Sequence, residues 1–323
     1  MASKKLSHAE YRVGWICPLE VEQIAAEEML DEIHEAIAQP RTDTNVYTLG
    51  AINGHNVVIA GLPSTGQCST AIVATQMRST FPNIRYGLLV GIGGGVPCKT
   101  DAGVTIRLGH VVVSKPTGVH SGAVQYDRGK AKDGHFERTG ALQPPPTTLL
   151  NAAHALAVSR ARSDRDPVWD NVQRIATHRR AFRRFKFPGA QYDFLYPPEY
   201  SHQDPDLACD EANCDLTRRI ARPADTEEES EEYIIVHRGT IASGGLVVKD
   251  AKLRDSLARQ DNLLCFEMEA AGALMDFPCL VVRGISDYCD SHKNDLWHGY
   301  AAAVAAAYAR QLFFHLPIEE TLA

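Results

Sequence analysis

Short apolar segments alternate with helical segments along most of the chain, and this alternation restricts the possible folds more than any other feature of the sequence. Buried strands are predicted from the apolar runs RVGWICPL, YGLLVGIGGGVP, GHVVVSKP, LLCFE and PCLVVRGIS. Helices are predicted between or after them, in STAIVATQMRSTF, KDAKLRDSLAR, MEAAGALM and AAAVAAAYARQLFFHL. Strands that alternate with helices build a sheet that is covered on both faces. The predicted fold class is therefore α/β, a three-layer sandwich with a central mixed β-sheet flanked by helices.

The first part of the chain adds two local predictions. A helix is predicted from Glu20 to about Ile37, because apolar residues recur there at helical spacing as far as Ile33. The segment NVYTLGAINGHNVVIAGLP predicts a β-hairpin, since Asn53 and Gly54 form a strong turn signal between two β-branched runs.

A stretch from about residue 160 to 230, which we name the 160–230 segment, interrupts the order of strands and helices. It contains the basic run THRRAFRRFKFPG and the acidic run ADTEEESEE. No nucleic-acid-binding motif accompanies the basic run, so a solvated helix face or loop is favoured over a nucleic-acid patch, and the acidic run is predicted to be a loop. Because strands resume after this segment, residues 1–323 are predicted to form a single domain that carries it as an insertion.

Composition and charge give no indication of several classes of partner. A formal net charge of -7 gives no overall reason to expect nucleic acid or an anionic membrane as a partner. The first residues have no apolar signal region, and no stretch approaches the roughly 18 consecutive apolar residues of a membrane span. Eight scattered cysteines suit a reducing compartment. A soluble, cytoplasmic protein is expected.

Two cysteines in the 160–230 segment raise the question of a metal. Cys209 and Cys214, in CDEANC, could form a metal site together with His202. Their spacing matches no standard zinc pattern, and the sequence shows no evident fourth ligand. Loop cysteines are therefore favoured, and no metal or other cofactor is predicted.

The run VGIGGGVP follows a predicted strand and contains Gly91, Gly93 and Gly94. Glycine lets a backbone come close to a ligand because it has no Cβ atom. The run lacks the last glycine of the dinucleotide-binding fingerprint, and it lacks the lysine of a phosphate-binding P-loop. A tight structural turn and a substrate-binding loop formed by Gly91, Ile92, Gly93 and Gly94 are both compatible with it.

Three carboxylates near the C-terminal end occupy apolar surroundings. CFEMEAAGALM carries Glu267 and Glu269, and the apolar run PCLVVRGIS ends on Asp287. Burial of an unpaired carboxylate costs several kcal/mol, so such residues are retained mainly where their charge is used. Ligand binding or catalysis is expected of this group.

Four stretches, taken in order, resemble the purine nucleoside phosphorylase/uridine phosphorylase superfamily and particularly its nucleosidase-like branch. They are VGWICPLEVE, LLVGIGGGVP, GTIASGGLVV, and FEMEAAG followed by VVRGISD. The opening also resembles the phosphorylase-like domain of fungal multidomain proteins, although no further domain is expected here. The resemblance covers about residues 11 to 316, and EMEAAG followed by ISD is its most specific part.

The resemblance implies three catalytic roles. Asp287 matches the general acid that protonates purine N7, and its structural alternative is an N-cap. Glu269 matches the glutamate that accepts hydrogen bonds from the ribose 2′ and 3′ hydroxyls. Glu22 matches the water-activating glutamate, and it is preferred to Glu20, which lies on another helix face. For either glutamate the structural alternative is an exposed first-turn acid that interacts with the helix dipole.

The same resemblance implies substrate contacts. Glu267 helps to hold the sugar site or pairs with Arg283 behind it. Met268 is expected against the ribose, with core filling as the alternative. Val247 and Val248 are expected to support the base, at a point where related nucleosidases have a stacking aromatic residue.

Water is the expected acceptor of the ribose. Phosphorylases of this superfamily carry a GDPxR-type loop after the first strand, whereas this chain has GWICPLEVE, with no arginine and with an acid that would repel phosphate. The chain also lacks the clustered N-terminal aspartates of calcium-dependent nucleoside hydrolases. The predicted function is a purine nucleosidase that hydrolyses adenosine, inosine or guanosine to free base and ribose, with a role in purine salvage. A phosphate-dependent phosphorylase and a non-catalytic nucleoside-sensing domain are the alternatives. Relatives of this type are homo-oligomers, so a homodimer or higher oligomer is expected.

Overall fold

The computed structural model describes residues 4–100, 103–202, 204, 207, 209, 211–222 and 232–317. Within these residues the chain forms twelve strands and seven α-helices. The strands are β1 (Val13–Cys17), β2 (Glu32–Ile33), β3 (Tyr47–Ile52), β4 (His55–Gly61), β5 (Tyr86–Gly95), β6 (Val111–Ser114), β7 (Ala123–Gln125), β8 (Gly129–Lys132), β9 (His135–Arg138), β10 (Val236–Ser243), β11 (Leu263–Glu267) and β12 (Cys279–Asp287). The helices are α1 (Glu20–Glu27), α2 (Gln67–Thr80), α3 (Thr147–Arg160), α4 (Pro167–Val172), α5 (Ala251–Asp261), α6 (Ala270–Ala273) and α7 (His298–Leu312).

One mixed sheet of ten strands organises the molecule. Its order is β11-β10-β6-β12-β5-β1-β4-β3-β2, with β7 paired to β10. β5 lies parallel to both β1 and β12, whereas β12 runs antiparallel to β6 and β3 runs antiparallel to β4. β11 also pairs antiparallel with β5, so β5, β12, β6, β10 and β11 close into a ring while β1 to β4 extend from it as an open sheet.

Helices cover both faces of this sheet because alternate strand residues point to opposite sides. In β12, Leu280 and Val282 belong to a core shared with α1, α3, α4 and α7. Val281, between them, belongs to a second core shared with α2 and α6. The predicted α/β class, with a central mixed sheet flanked by helices, is confirmed.

The first predicted helix is shorter than its apolar spacing indicates. α1 ends at Glu27, and Ile33 lies exposed in β2 instead of continuing the helix. The reason is a competing set of backbone hydrogen bonds: Asp31 N–H donates to Ala51 O and His34 N–H to Leu49 O. The edge of β3 thus captures this stretch as a short antiparallel strand.

The hairpin prediction is confirmed, whereas the glycine run is not a loop. β3 and β4 are joined at Asn53 and Gly54, whose φ angles of 48° and 78° fit a tight turn of the type that favours Asn-Gly. The glycine run continues β5 to Gly95, where it pairs with β12 and β11. Close neighbours on both sides, described below, explain why this strand is built from glycine.

The 160–230 segment contains α4 and short 3-10 turns at Arg180–Phe185, Ala190–Tyr192 and Leu216–Arg218. In the basic run Phe185 is buried while its arginines are exposed, which fits a solvated surface. The acidic run lies outside the described residues except for its last residue, Glu232. That residues 1–323 form one domain stays a prediction. In the described part of the chain, no helix has the length and apolarity needed to cross a membrane.

Candidate active site

A cavity of about 260 Å³ lies where β5, β11 and β12 end beside the beginning of α1. Every site residue predicted from the sequence lines it except Gly91: these are Glu22, Ile92, Gly93, Gly94, Val247, Val248, Glu267, Met268, Glu269, Arg283 and Asp287. Four separate parts of the sequence thus meet at one place, although their roles stay predictions.

Arg283 lies among the polar groups of this cavity and pairs with two of its carboxylates. Its side chain is fully buried in β12, and its Nη2 lies 2.5 Å from Glu267 Oε2 and 3.2 Å from Glu269 Oε2. Its Nη1 donates to Ile92 O at 3.2 Å. Burial alone would lower the pKa of Arg283, but Glu267, Glu269 and Glu22 outweigh it and raise this pKa. The guanidinium is therefore a permanent positive charge.

Glu267 binds both Arg283 and the backbone at the start of α6. Besides pairing with Arg283, its Oε2 accepts the backbone N–H groups of Glu269 and Ala270 at 3.2 and 2.9 Å, at the start of α6. Of its two predicted roles, pairing with Arg283 is the one that the structure displays. Its contact with sugar stays a prediction.

Glu269 is oriented by groups on two different elements. Its Oε1 accepts the Gly66 N–H at 2.9 Å, just before α2, and its Oε2 faces Arg283. Gly66 has a φ of 108°, a conformation that side-chain-bearing residues rarely adopt. Burial raises the pKa of Glu269, and Arg283 only partly offsets that effect.

Glu22 projects from the first turn of α1 into the cavity. Its Oε1 accepts the Ile92 N–H at 2.7 Å and its Oε2 accepts the Leu19 N–H at 2.5 Å. Burial raises the pKa of Glu22 to about 8. Glu20 is exposed on the same helix and does not line this cavity, so the structure separates the two candidates as the helix geometry predicts.

Gly91 lies behind the cavity rather than in its lining. A Cβ atom at this position would come within 2.3 Å of Glu22 Oε1 and 2.7 Å of Arg283 Nη1. Only glycine lets these two side chains pack across β5. The missing side chain at Gly91 therefore makes room for Glu22 and Arg283. Gly91 itself does not line the cavity, so its predicted contact with substrate stays a prediction.

Asp287 is buried at the end of β12. Its Oδ1 accepts the Cys289 N–H at 2.9 Å, and its Oδ2 accepts the Ser286 hydroxyl at 3.0 Å. Lys293 Nζ lies 2.8 Å from Oδ2. The contact with the Cys289 N–H is a local cap of the kind that the structural alternative predicts, and the catalytic role of Asp287 stays a prediction.

Apolar side chains also line the cavity. Val248 is buried and Val247 is 54 % exposed at the cavity edge, while Met268 is half-buried. Phe266 also lines the cavity, so an aromatic ring is present even though valine occupies the motif position.

Sequence reasoning missed several lining residues. Lys293 and His298 follow Asp287 in the polar stretch DSHKNDLWH, and Thr65 precedes α2. The polar stretch directly after a candidate catalytic acid is the signal that could have identified Lys293. Thr65 had no comparable signal, because its proximity depends on how α2 packs.

A second space of about 780 Å³ adjoins the cavity, since Pro18, Leu19, Thr65 and His298 line both. Its other charged lining residues are Glu20, Arg184 and Asp295. We name this space the adjoining groove. Arg184 comes from the basic run of the 160–230 segment and is exposed.

A cavity of about 400 Å³ lies elsewhere, between the 160–230 segment and the sheet. Asp193 is the carboxylate among its described lining residues, and it lies 3.8 Å from both Arg107 and Arg222. The cavity of about 260 Å³ is the better candidate active site, because several buried carboxylates and apolar side chains line it together.

Comparisons with known proteins found a family model and individual relatives that are similar to this chain. The family model described as "Phosphorylase superfamily" matches residues 15–313. A nucleotide-binding leucine-rich repeat (NLR)-like protein of Hyaloscypha variabilis is 41% identical over 308 residues, which are 95% of this chain and 29% of that protein. The ATP nucleosidase Cap17 of Escherichia coli is 42% identical over 79 residues, 23% of this chain and 16% of that protein. The chain spans less than a third of the length of these curated relatives.

Solved structures share the fold at low sequence identity. Futalosine hydrolase of Helicobacter pylori has a TM-score of 0.58 and 16% identity, over 96% of this chain and 100% of that one. The 5'-methylthioadenosine/S-adenosylhomocysteine nucleosidase of Neisseria meningitidis, in complex with methylthio-immucillin-A, has a TM-score of 0.58 and 16% identity, over 94% and 98%. At such identities the likeness establishes the fold alone.

Proposed function

Because the chain belongs to the phosphorylase superfamily, we propose that it is a purine nucleosidase that hydrolyses adenosine, inosine or guanosine to free base and ribose. The supporting observation is that Glu22 and Asp287 line one cavity together with Glu269 and Arg283. On β5, Ile92 binds Glu22 and Gly94 lies opposite Asp287. Two strand residues span roughly 7 Å, so the two acids meet β5 at different points along its length.

Asp287 is assigned the protonation of the leaving base. Cleavage of an N-glycosidic bond develops negative charge on the purine, and a proton delivered to N7 neutralises it. Lys293, 2.8 Å from Oδ2, stabilises the carboxylate that remains after the transfer.

The carboxylates around Arg283 are assigned the binding of the ribose and the stabilisation of its developing positive charge. Glu267 and Glu269 both face Arg283, and in their ionised forms they exceed its single positive charge, which favours the cation that develops on the sugar. Glu269 has two oxygens for the cis-diol, which would fix the ring. A pKa of about 8 leaves Glu22 mostly protonated at neutral pH, and its ionised fraction is the form that accepts a proton from the attacking water.

Water is favoured over phosphate for an electrostatic reason. The ionised form of Glu22, which is the form that acts as a base, would repel a phosphate charge about 4 Å away by roughly 4 kcal/mol at an effective dielectric constant near 20. Arg283 and Lys293 line the cavity, but both are already paired: Arg283 Nη2 with Glu267 and Glu269, and Lys293 Nζ with Asp287.

Product analysis tests this proposal. Purified protein and a purine nucleoside should yield free ribose, and the rate should not change with added phosphate. Glu22→Ala should abolish most turnover, while Glu20→Ala, on the exposed face of the same helix, serves as the matched control. Ribose 1-phosphate with a phosphate-dependent rate would instead identify a phosphorylase. Nucleoside binding without base release would identify a sensing domain.

Purine nucleotides are a second candidate substrate class. Arg184 lines the adjoining groove, where a 5′ phosphate could extend from a nucleoside bound in the cavity. A relative that matches part of this chain is named an ATP nucleosidase. Arginine suits phosphate because its guanidinium donates several charge-assisted hydrogen bonds.

The two substrate classes separate on a panel of adenosine, AMP and ATP. If nucleotides are substrates, Arg184→Ala should raise KM for ATP by about tenfold, the usual effect of a lost charged hydrogen bond, and leave adenosine unaffected. Arg183→Ala is the control, since Arg183 is exposed in the same turn and does not line the groove. Equal effects of both variants would show only a change in surface charge.

A further inference from the structure

We propose that His202, Cys209, Cys214 and His292 bind a zinc ion that fastens the 160–230 segment to the loop after Asp287. One ligand atom from each of these four side chains lies within 4.8 Å of all the others. Cys209 and Cys214 belong to the 160–230 segment, whereas His292 lies 78 residues beyond Cys214. This fourth ligand is the one that sequence spacing could not reveal.

The distances fit a tetrahedral metal site. Cys209 Sγ lies 3.5 Å and Cys214 Sγ 3.8 Å from His292 Nδ1. Two ligands on one zinc ion, with bonds of about 2.3 Å to sulfur and 2.0 to 2.1 Å to nitrogen, are about 3.6 Å apart at the tetrahedral angle. A set of two thiolates and two imidazoles in this arrangement is typical of structural zinc.

His292 is oriented for metal binding by its surroundings. Its Nε2 lies 3.1 Å from the carbonyl oxygen of Tyr200, which can only accept, so Nε2 carries the proton. Nδ1 is then the nitrogen with the free lone pair, and it faces both sulfur atoms. Stacking against Tyr196, with ring centroids 4.0 Å apart, fixes the ring plane. An outer hydrogen bond of this kind usually accompanies a metal-bound histidine.

The other ligands are held in place by local contacts. Cys214 N–H donates to Cys209 O at 2.9 Å, which closes a turn that brings the two thiols to one side. His202 N–H donates to Ser291 Oγ at 2.8 Å, beside His292. The Nδ1 atom of His202 is buried and has no hydrogen-bond partner among the described residues. A ligand for this nitrogen would remove an unfavourable buried polar atom.

Packing of free thiols explains this cluster less well. Buried free cysteines ordinarily behave as small apolar side chains. Here both thiols face imidazole nitrogen instead. The two sulfur atoms lie within 4.8 Å of each other, so a disulfide is the main competing explanation. A disulfide would remove the thiol partners of His292 Nδ1 and would leave His202 Nδ1 buried without a ligand.

The location gives the ion a structural consequence for the active site. His292 directly precedes Lys293, which pairs with Asp287, and Cys289 in the same loop donates its N–H to Asp287 Oδ1. The ion fastens this loop from its outer side. None of the four ligands lines the candidate active-site cavity, so the role of the ion is structural.

Metal analysis of the whole purified chain tests the proposal, and it does not depend on any enzymatic activity. Protein produced with zinc in the medium and purified without chelator should contain about one zinc ion per chain. Cys209→Ser and Cys214→Ser should lose it. Cys68→Ser is the matched control, since Cys68 is an exposed free thiol on α2. Cobalt bound to the metal-free wild type should give the absorption of a tetrahedral thiolate site.

Two measurements on the wild-type protein test the proposal even if a cysteine variant does not fold. Blocking its thiols should release the zinc, and chelation should lower its unfolding temperature. Three results would overturn the proposal: wild-type protein that contains no zinc and binds no cobalt after reduction, a Cys209–Cys214 disulfide found by mass spectrometry, or equal metal loss in Cys68→Ser.

Discussion

Asp287 is the residue with the most demanding predicted role, because it must deliver a proton to the leaving purine. Asp287→Asn keeps the size of the side chain and removes the acid, so kcat should fall by about two to four powers of ten. Steady-state release of base, with circular dichroism to confirm the fold, measures this effect. Asp276→Asn is the control, because Asp276 is an exposed acid paired with Arg78. Turnover near that of the wild type in a folded Asp287 variant would remove the assignment.

Glu269 is expected to distinguish ribose from deoxyribose. If its carboxylate accepts both hydroxyls of the ribose diol, Glu269→Gln should reduce kcat/KM more for ribosides than for 2′-deoxyribosides, which have already lost one partner. The ratio of the two kcat/KM values, measured in wild type and variant, reports this difference. Equal losses on both substrates would show that Glu269 acts mainly through its contact with Arg283.

Glu22 should make the stability of the fold depend on pH. Burial raises its pKa to about 8 in the folded chain, above the ordinary value of 4.5. Between these pH values the folded state holds a proton that the unfolded state has released. The free energy of unfolding should therefore fall as pH rises from about 4.5 to 8, by up to about 1.4 kcal/mol per pH unit, with no further loss above that range.

Urea unfolding at several pH values measures the contribution of Glu22 as a difference between variants, because other buried groups titrate as well. Glu22→Gln should reduce the pH-dependent loss of stability, whereas Glu20→Gln should not, since Glu20 is exposed. Parallel pH profiles for wild type and Glu22→Gln would mean that Glu22 keeps its ordinary pKa in the folded chain.

At the level of elements, the sequence predicts strands well where the apolar run itself forms the pairing surface. The runs containing Leu280 to Val282 and Leu88 to Val90 became the central strands β12 and β5. Prediction failed where a distant partner decided the conformation. β3 converts the expected end of α1 into β2, and pairing with Arg283 and Asp287 keeps the glycine run extended. Such partners lie far away in sequence and leave no local signal.

The same limit applies to the candidate site. Motif positions were enough to gather the carboxylates, because each of them ends a strand or begins a helix whose pattern is visible. Lys293 and His292 escaped because their importance depends on which side chains they meet. Their partners, Asp287 and Cys209, become neighbours only in the folded chain.

The glycine at position 91 gives an element-scale prediction about β5. In Gly91→Ala the added methyl group would overlap Glu22 and Arg283, with contacts of 2.3 and 2.7 Å. Displacement of catalytic groups by about 1 Å can reduce turnover by about a hundredfold, so a large loss of kcat is expected. Overpacking should also lower stability by about 1 to 3 kcal/mol.

Gly87→Ala is a matched control on the same strand. Its methyl group would also be crowded, 2.6 Å from Cys279 Sγ, but far along β5 from the cavity. Both variants should lose stability, and only Gly91→Ala should lose most of its activity per folded molecule. If both retain activity, β5 tolerates a side chain at position 91 and the close approach of Glu22 is not required.

On the scale of the whole molecule, the cavity joins parts that are far apart in the chain. Its lining runs from Pro18 near the first strand to His298 at the start of α7, and it includes three strands of the closed part of the sheet. Each part has its own apolar contacts, but the polar groups meet only when both ends of the chain have folded. The geometry of the candidate site is therefore a property of the complete sheet.

Ligand binding should accordingly stabilise the whole fold and not one part of it. Folded Asp287→Asn protein, which is expected to bind substrate without cleaving it, should unfold at a higher temperature when adenosine is added. At a ligand concentration of about 100 times Kd the gain is about 2.7 kcal/mol, because the site does not exist in the unfolded chain. Differential scanning calorimetry should show one transition moving as a unit, and Glu269→Gln in the same background should weaken the shift. An unchanged transition would contradict binding of the nucleoside to the folded chain. A shift of only part of a divided transition would contradict a cavity built from both ends of the chain.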